Sequence, residues 1–196
     1  MKRLGVFCGS SSGARPDYAD AAIALAEELV TRDIGLVYGG GRVGLMGRIA
    51  ETVVARGGEV IGVIPTFLAD QELAFESGAE LHAVESMSER KAVIADLSDG
   101  FIALAGGYGT IDELVEMLTW TQLHLHEKPC GLLNTLDYYE DLLAFFDRSV
   151  ADGFLQPEHR SMLLVEKKPA ALVDRMQAWS PPSIDKARWI RGLEDD

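Results

Sequence analysis

The chain has 196 residues, of which 47% are hydrophobic and 25% are charged, and its formal net charge is −13. This composition is typical of a globular protein and argues against a disordered or collagen-like chain. The acidic balance argues against DNA, RNA or an anionic membrane as a partner, because basic patches bind those surfaces. A small anionic ligand stays open, because a few local groups can hold it.

Cysteine usage and the N-terminus bear on the compartment. Cys8 and Cys130 lie far apart in apolar runs. They are too few for a disulfide framework and lack metal-site spacing, so we expect buried free thiols. Gly5 and Gly9 interrupt an N-terminal apolar stretch that is too short for a signal peptide, and no run approaches the ~18 apolar residues of a membrane span. We therefore expect a cytoplasmic protein.

Short apolar runs alternate with segments of helical periodicity along the chain. The runs predict strands at 4–8, 34–38, 60–64, 81–84, 101–104, 131–133 and 162–165. Helical spacing predicts helices at 17–31, 45–55, 111–123, 138–150 and 170–179, with a further helix beginning near Ser86.

Strands without inside–outside alternation, separated by helices, indicate a parallel sheet covered on both faces. We predict an α/β fold with a Rossmann-like, doubly wound parallel sheet. It would form a three-layer α/β/α sandwich in a single domain, residues 1–180, followed by a C-terminal tail at 181–196. Glycine clusters at 9–13, 39–47 and 106–109 follow predicted strands. Because ligands bind at the carboxyl ends of parallel strands, these three loops should converge on one crevice.

The glycines at 39–44 match the dinucleotide fingerprint G-x-G-x-x-G between a strand and a helix. The fingerprint also needs an acidic residue at the end of the next strand. Here Glu59 precedes that strand, and the strand ends at Pro65. We therefore favour close backbone packing over NAD or FAD binding as the role of these glycines.

The loop at 105–113 follows a predicted strand and opens a helix. Its glycines and the helix N-terminus could bind a phosphate through backbone N–H groups. Thr110 and Glu113 also have the spacing of a capping box, and the spacing alone leaves both interpretations open. Glu116, one turn beyond Glu113, would face the same crevice or solvent.

The segment 86–91 places two cations at a helix start. Ser86 and Glu89 form a capping box, so Arg90 and Lys91 would oppose the helix dipole. Solvent exposure of both side chains is the simpler interpretation. Because basic residues are scarce in this chain, we favour a role toward an anion, with Arg90 supplying a planar fork.

Several motifs stand in the order seen in one enzyme family. They are G-S-S-S-G at 9–13, Y-G-G-G at 38–41 with V-G-L-M-G at 43–47, G-G-E-V-I-G-V-I-P at 57–65, M-S-E-R-K at 87–91 and G-G-Y-G-T-I-D-E at 106–113. Over about residues 3–180 the chain resembles the LOG ("lonely guy") family of cytokinin-activating enzymes. One departure is Ala105, where the family has proline; the glycines, Thr110 and Glu113 are in place.

The resemblance implies a phosphoribohydrolase that cleaves the N-glycosidic bond of a purine or cytokinin nucleoside 5′-monophosphate, releasing free base and ribose 5-phosphate. Arg90 and Glu113 would be the catalytic pair, suited to an oxocarbenium-like transition state. Substrate contacts are expected at Glu72, Lys91, Gly107, Tyr108, Gly109, Thr110, Ile111, Asp112, Glu116 and Thr119. The family also implies a homodimer with its site near the interface.

Two other functions stay open. One is a non-catalytic carrier of a nucleotide or phosphorylated cofactor; the other is a pyridoxal-phosphate lysine decarboxylase, for which only Lys91 is placed. We expect no cofactor and no metal, since the histidines do not cluster and His124 and His126 would lie on a surface or subunit contact. The sequence does not identify the purine. Phe67, Leu68, Met87 and Trp120 are candidates to line a pocket for a modified base.

Overall fold

The computed structural model describes residues 1–69 and 78–182. Seven strands are present in these residues: β1 (Arg3–Phe7), β2 (Gly35–Tyr38), β3 (Val60–Pro65), β4 (Glu80–Val84), β5 (Phe101–Ala103), β6 (Cys130–Leu133) and β7 (Leu163–Glu166). The α-helices are α1 (Pro16–Thr31), α2 (Gly44–Ala55), α3 (Thr66–Ala69), α4 (Met87–Leu97), α5 (Tyr108–Gln122), α6 (Glu140–Ala151), α7 (Pro157–Arg160) and α8 (Pro169–Gln177). None of these helices is long and apolar enough to cross a membrane.

The strands form one parallel sheet in the order β4-β3-β2-β1-β5-β6-β7. Helices α1, α2 and α8 pack on one face, and α4, α5 and α6 pack on the other. Side chains of β1 enter both cores, with Leu4 and Val6 on the first face and Phe7 on the second. The predicted doubly wound α/β fold is confirmed.

The chain reverses its direction of winding between β1 and β5, which are hydrogen-bonded neighbours. On one side of β1 the sheet continues through β2, β3 and β4; on the other side it continues through β5, β6 and β7. Loops that follow β1 and β5 therefore diverge and leave a crevice, which is where ligands bind in such sheets. Both cysteines are buried free thiols, as expected.

Two helix starts differ by more than one residue from the predicted ones. Helix α5 begins at Tyr108, three residues before the predicted start, and α6 begins at Glu140, two residues after it. Before α6, the buried Asn134 accepts a 2.9 Å hydrogen bond from the Tyr139 backbone N–H. That contact holds residues 134–139 in a turn. Of the predicted tail, only residues 181–182 lie within the described part of the chain.

His126, expected on a surface or a subunit contact, is partly buried within the chain. Its ring packs 5.4 Å from the Phe101 ring and 6.2 Å from the Trp120 ring, and its Nδ1 accepts a 3.3 Å hydrogen bond from the Lys128 N–H. Burial, followed by the charge of Lys128, lowers the pKa of His126 to about 4. His124, by contrast, is exposed.

This lowered pKa predicts acid sensitivity. In the unfolded chain His126 binds a proton near pH 6.5, whereas the folded protein resists protonation down to about pH 4. Stability should therefore fall as the pH drops through this window, by about 2 kcal/mol after allowance for partial solvent screening. Urea unfolding across this range should show a shallower pH dependence for His126→Asn. The exposed control His124→Asn should keep the wild-type slope; equal slopes for all three proteins would contradict the prediction.

Candidate active site

Three glycine-containing loops meet at the carboxyl edge of the sheet. The Gly9 N–H donates to the Ala105 carbonyl at 3.0 Å, and the Leu45 N–H donates to the Gly9 carbonyl at 3.1 Å. A Cβ at Gly44 would lie 2.3 Å from the carbonyl carbon of Ser10, and Gly44 has φ +61°. Close backbone approach therefore requires glycine here, and the predicted convergence of the three loops is confirmed.

A cavity of about 340 Å³ opens where these loops meet. Its lining is formed by Gly9, Ser10, Ser11, Ser12, Gly13, Tyr18, Leu45, Ala105, Gly106, Gly107 and Tyr138. A larger depression, about 680 Å³, lies at the opposite edge of the sheet around Arg3 and Glu59. Those two side chains pair with each other through two 2.7 Å contacts, so their charges are already satisfied. The smaller cavity is therefore the candidate site.

The N-terminus of α5 presents backbone donors beside this cavity. Gly107 is the N-cap residue, and Ile111 is the residue whose N–H returns to the Gly107 carbonyl, at 3.1 Å. The N–H groups of the helix's first turn have no acceptor within the helix. Gly107, Tyr108 and Gly109 are exposed, and Tyr108 is 96% exposed. Residues 107–110 therefore present backbone donors of the kind with which helix N-termini bind anions.

The possible capping box of Thr110 and Glu113 is not formed. Thr110 lies inside the first turn of α5 rather than at the N-cap. Its side chain is buried, and a Cβ at Gly106 would lie 2.1 Å from Thr110 Oγ1. By contrast, the box at the start of α4 is present in part: Ser86 Oγ accepts the Glu89 N–H at 3.1 Å, while the Glu89 carboxylate accepts the Glu85 N–H at 2.8 Å.

Arg90 is buried, with only 6% of its surface exposed. Its Nε donates to the Val63 carbonyl at 3.1 Å, and its Nη2 donates to the Gly39 carbonyl at 2.9 Å. A Cβ at Gly39 would lie 1.8 Å from Nη2, so the glycine is needed to admit the guanidinium. The Arg90 guanidinium, which was predicted to face solvent or an anion, is therefore held by hydrogen bonds at the carboxyl ends of β2 and β3.

Glu113 and Arg90 both act on the Cys8 thiol at the end of β1. Burial raises the pKa of Cys8 far above its ordinary value; the charge of Glu113 raises that pKa further, and the charge of Arg90 lowers it. The two predicted catalytic side chains therefore both influence this point of the carboxyl edge electrostatically. They come from different helices, α4 and α5, and carry opposite charges.

Lys91 joins the same two helices. Its Nζ lies 2.7 Å from Glu116 Oε2 and 3.1 Å from Asp112 Oδ2. Burial lowers the pKa of Lys91, but the ion pairs with Glu116 and Asp112 outweigh it, so that the pKa is raised overall. A Schiff base needs a neutral amine, which this environment disfavours. The placement of Lys91 therefore argues against the pyridoxal-phosphate hypothesis.

The remaining predicted residues are less closely grouped. Thr119 lies about 13 Å further along α5 than Thr110, and it lines a separate apolar cavity with Val115 and Phe146. Glu72 lies outside the described residues. Both assignments stay predictions.

The four candidates for a base pocket stay a prediction, and the structure places three of them in different surroundings. Met87 Sδ lies 3.8 Å from Arg90 Nη1, and Phe67 is exposed on α3. The Trp120 ring packs instead against His126. Among residues 1–69 and 78–182, no three His, Cys, Asp or Glu side chains are placed to hold a metal ion.

Sequence reasoning missed two tyrosines. Tyr138 Oη donates to the Gly106 carbonyl at 2.8 Å, and Tyr139 Oη donates to the Leu104 carbonyl at 2.7 Å. Both were interpreted as the start of α6. A pair of adjacent tyrosines before a helix was the available signal, but nothing in the spacing links it to a loop more than thirty residues earlier.

The fold and site define a Rossmann-like α/β protein with glycine-containing loops at the carboxyl edge of its sheet, one of which leads into α5. The family model described as "possible lysine decarboxylase" matches residues 46–176. A probable cytokinin riboside 5′-monophosphate phosphoribohydrolase of Oryza sativa subsp. japonica is 52% identical, over 92% of this chain and 80% of its own length. A cytokinin riboside 5′-monophosphate phosphoribohydrolase of Arabidopsis thaliana is 50% identical, over 96% and 84%. The chain belongs to the LOG family.

More distant solved structures share the fold. The molybdenum cofactor binding protein of Rippkaea orientalis superposes with a TM-score of 0.68 at 18% identity, covering 91% of this chain and 96% of its own. The molybdenum cofactor carrier protein of Chlamydomonas reinhardtii gives 0.68 at 22% identity, covering 91% and 98%. At these identities the likeness concerns the fold alone.

Proposed function

We infer that the protein hydrolyses the N-glycosidic bond of purine or cytokinin nucleoside 5′-monophosphates, releasing the free base and ribose 5-phosphate. The observation that carries this inference is the meeting of three glycine-containing loops at a cavity beside the N-terminus of α5, whose exposed first residues offer backbone amides. The names of relatives at about half identity support the same reaction.

Each part of the site has a task in this reaction. The N–H groups of residues 107–110 would hold the 5′-phosphate, and this fixes the ribose next to them. As the bond from C1′ to the purine nitrogen breaks, its electron pair leaves with the base and the sugar becomes oxocarbenium-like. The Glu113 carboxylate stabilises that positive charge and orients the water whose oxygen bonds to C1′. The water's proton finally reaches the base.

Arg90 would act on the leaving group. Two of its N–H groups donate to the Val63 and Gly39 carbonyls, and these bonds set the direction of the guanidinium. A fixed cation beside the purine offsets the negative charge that develops on the ring. Lys91 would contribute by holding the Asp112 and Glu116 carboxylates of α5, and Ile111 by completing the first turn. Glu72 and Thr119 stay as proposed substrate contacts.

The test is to incubate the purified protein with AMP and with isoprenylated AMP, and to measure ribose 5-phosphate. We expect one equivalent of free base for each equivalent of ribose 5-phosphate. If neither nucleotide is cleaved but both bind, the protein is a carrier. Absorbance near ~420 nm in the purified protein would instead indicate bound pyridoxal phosphate. Comparison of kcat/KM for the two nucleotides identifies the preferred base.

We further propose a cytoplasmic homodimer that binds no nucleic-acid polymer. An apolar cavity on α5 and α6 supports the dimer: Val115, Leu118, Phe146 and Leu155 line it, and Phe145 nearby is 63% exposed. Pairing of this surface with a second copy would remove it from water. The net charge of −13 supports a small nucleotide rather than a polymer as ligand. Sedimentation equilibrium would give the oligomeric state.

A further inference from the structure

Three successive carbonyls of the loop after β5 each accept a hydrogen bond from another part of the chain. The Leu104 carbonyl accepts from Tyr139 Oη at 2.7 Å, and the Gly106 carbonyl accepts from Tyr138 Oη at 2.8 Å. The Ala105 carbonyl between them accepts from the Gly9 N–H at 3.0 Å. Each of the three peptide groups is therefore held at its oxygen.

Peptide geometry carries this restraint to the phosphate site. The Gly106 carbonyl and the Gly107 N–H belong to one planar, trans peptide group, in which they point in opposite directions. When Tyr138 holds the oxygen, it also fixes the direction of the Gly107 N–H. That N–H belongs to the N-cap residue of α5, at the proposed phosphate site.

The loop needs such a restraint because its own residues supply little. Gly106 and Gly107 are adjacent glycines, so rotation of the peptide between them meets little steric resistance. A Cβ at Gly107 would meet no atom within 4 Å, so packing does not confine this residue either. Ala105 stands where the family pattern has proline, so the ring that would fix φ one residue earlier is missing.

The tyrosines are themselves held in place. The buried Asn134 side chain accepts the Tyr139 N–H at 2.9 Å, and the Tyr138 ring meets the Tyr18 and Tyr139 rings edge-on at 5.5 and 4.8 Å. Leu136 and Asp137 just before them have φ values of +56° and +59°, a conformation that non-glycine residues rarely adopt. Lys167 pairs with Asp137 at 2.6 Å. Strained backbone of this kind persists where surrounding contacts determine it.

We propose that Tyr138 is a positioning residue: its hydroxyl fixes the Gly106–Gly107 peptide so that the Gly107 N–H points at the 5′-phosphate of the substrate. The proposal rests on the proposed function for the identity of that ligand. Tyr139 holds the Leu104–Ala105 peptide in the same way, but its hydroxyl is buried, so its loss would also affect folding. Tyr138 is 45% exposed and is the cleaner position to change.

The test is Tyr138→Phe, which removes the hydroxyl and keeps the ring. Calorimetric titration should show affinity for ribose 5-phosphate falling about 10-fold, the size expected for one hydrogen-bonded donor losing its alignment. KM for AMP should rise by a similar factor, while kcat stays within about threefold because Arg90 and Glu113 are unchanged. A merely structural role would instead lower the active fraction, and hence kcat, with KM unaltered.

The control is Tyr38→Phe, the same chemical change at a buried hydroxyl that has no hydrogen-bond partner within residues 1–69 and 78–182. It should leave ribose 5-phosphate affinity and KM unchanged. Ala105→Pro should restore much of the affinity lost in Tyr138→Phe, because the proline ring restricts the loop independently. Wild-type affinity in Tyr138→Phe, or a failure of Ala105→Pro to restore it, would overturn the proposal. Ribose 5-phosphate binding needs no turnover, so failure of the proposed hydrolysis would be visible separately.

Discussion

Glu113→Gln should lower kcat for AMP hydrolysis by at least about 100-fold while AMP affinity stays within about threefold. The amide keeps the size and hydrogen-bonding reach of the carboxylate but removes the negative charge that faces the developing oxocarbenium ion. Loss of a charge that acts only in the transition state lowers kcat and kcat/KM together. Stopped-time assays of ribose 5-phosphate release and calorimetric AMP titration measure the two effects.

The thermal stability of Glu113→Gln distinguishes a catalytic role of Glu113 from a helix-capping role. Glu113 lies in the second turn of α5, beyond the N-cap Gly107, so its loss should leave the melting temperature within about 2 °C of wild type. Glu51→Gln on the exposed face of α2 is the matched control and should alter neither activity nor stability. A variant that loses stability in proportion to activity would contradict the catalytic assignment of Glu113.

Most of the strands were predictable because they are short apolar runs with clear boundaries. Val60–Pro65 is buried along its whole length and ends where proline stops the run. The sheet edge that binds the ligand follows from the same pattern, since glycine clusters follow three of the strands. Even Phe101–Ala103, the shortest strand, was recognisable, because buried parallel strands need no alternation of polar residues.

The sequence could not reveal where α5 begins or which distant segments are in contact. The spacing at Thr110 and Glu113 is compatible with a cap, and only the position of Gly107 at the N-cap excludes it. The ion pairs of Lys91 had a partial signal, because Asp112 and Glu116 are one turn apart on α5. No spacing in the sequence indicates the hydrogen bond from Tyr138 to Gly106, because that bond depends on the conformation of the turn before α6.

The placement of charge also explains how an acidic chain can hold an anion. Lys91 pairs with two carboxylates of the chain itself, so its charge offsets part of the chain's own acidity. In the proposed site the phosphate is bound by backbone amides, which carry no net charge and are independent of the overall charge balance. Arg90 supplies a buried cation at the carboxyl ends of β2 and β3. A net charge of −13 is therefore compatible with nucleotide binding but not with a broad basic surface.

Arg90→Lys should lower kcat by about 100-fold and the free energy of unfolding by about 2 kcal/mol. Lysine keeps the positive charge but lacks the planar fork that reaches the Val63 and Gly39 carbonyls together, at 3.1 and 2.9 Å. At least one of these carbonyls would lose its partner, and the cation would no longer be aimed at the leaving base. Urea unfolding and steady-state kinetics, measured well below the melting temperature, separate the two losses.

Arg48→Lys is the matched control, because Arg48 is exposed on α2 and the same substitution there changes no buried contact. It should retain full activity and stability. If Arg90→Lys loses stability but keeps kcat within about threefold in its folded fraction, Arg90 only supports the ends of β2 and β3. Lysine keeps the positive charge of Arg90. If kcat falls as expected, the site therefore requires the orientation of the guanidinium and not only its charge.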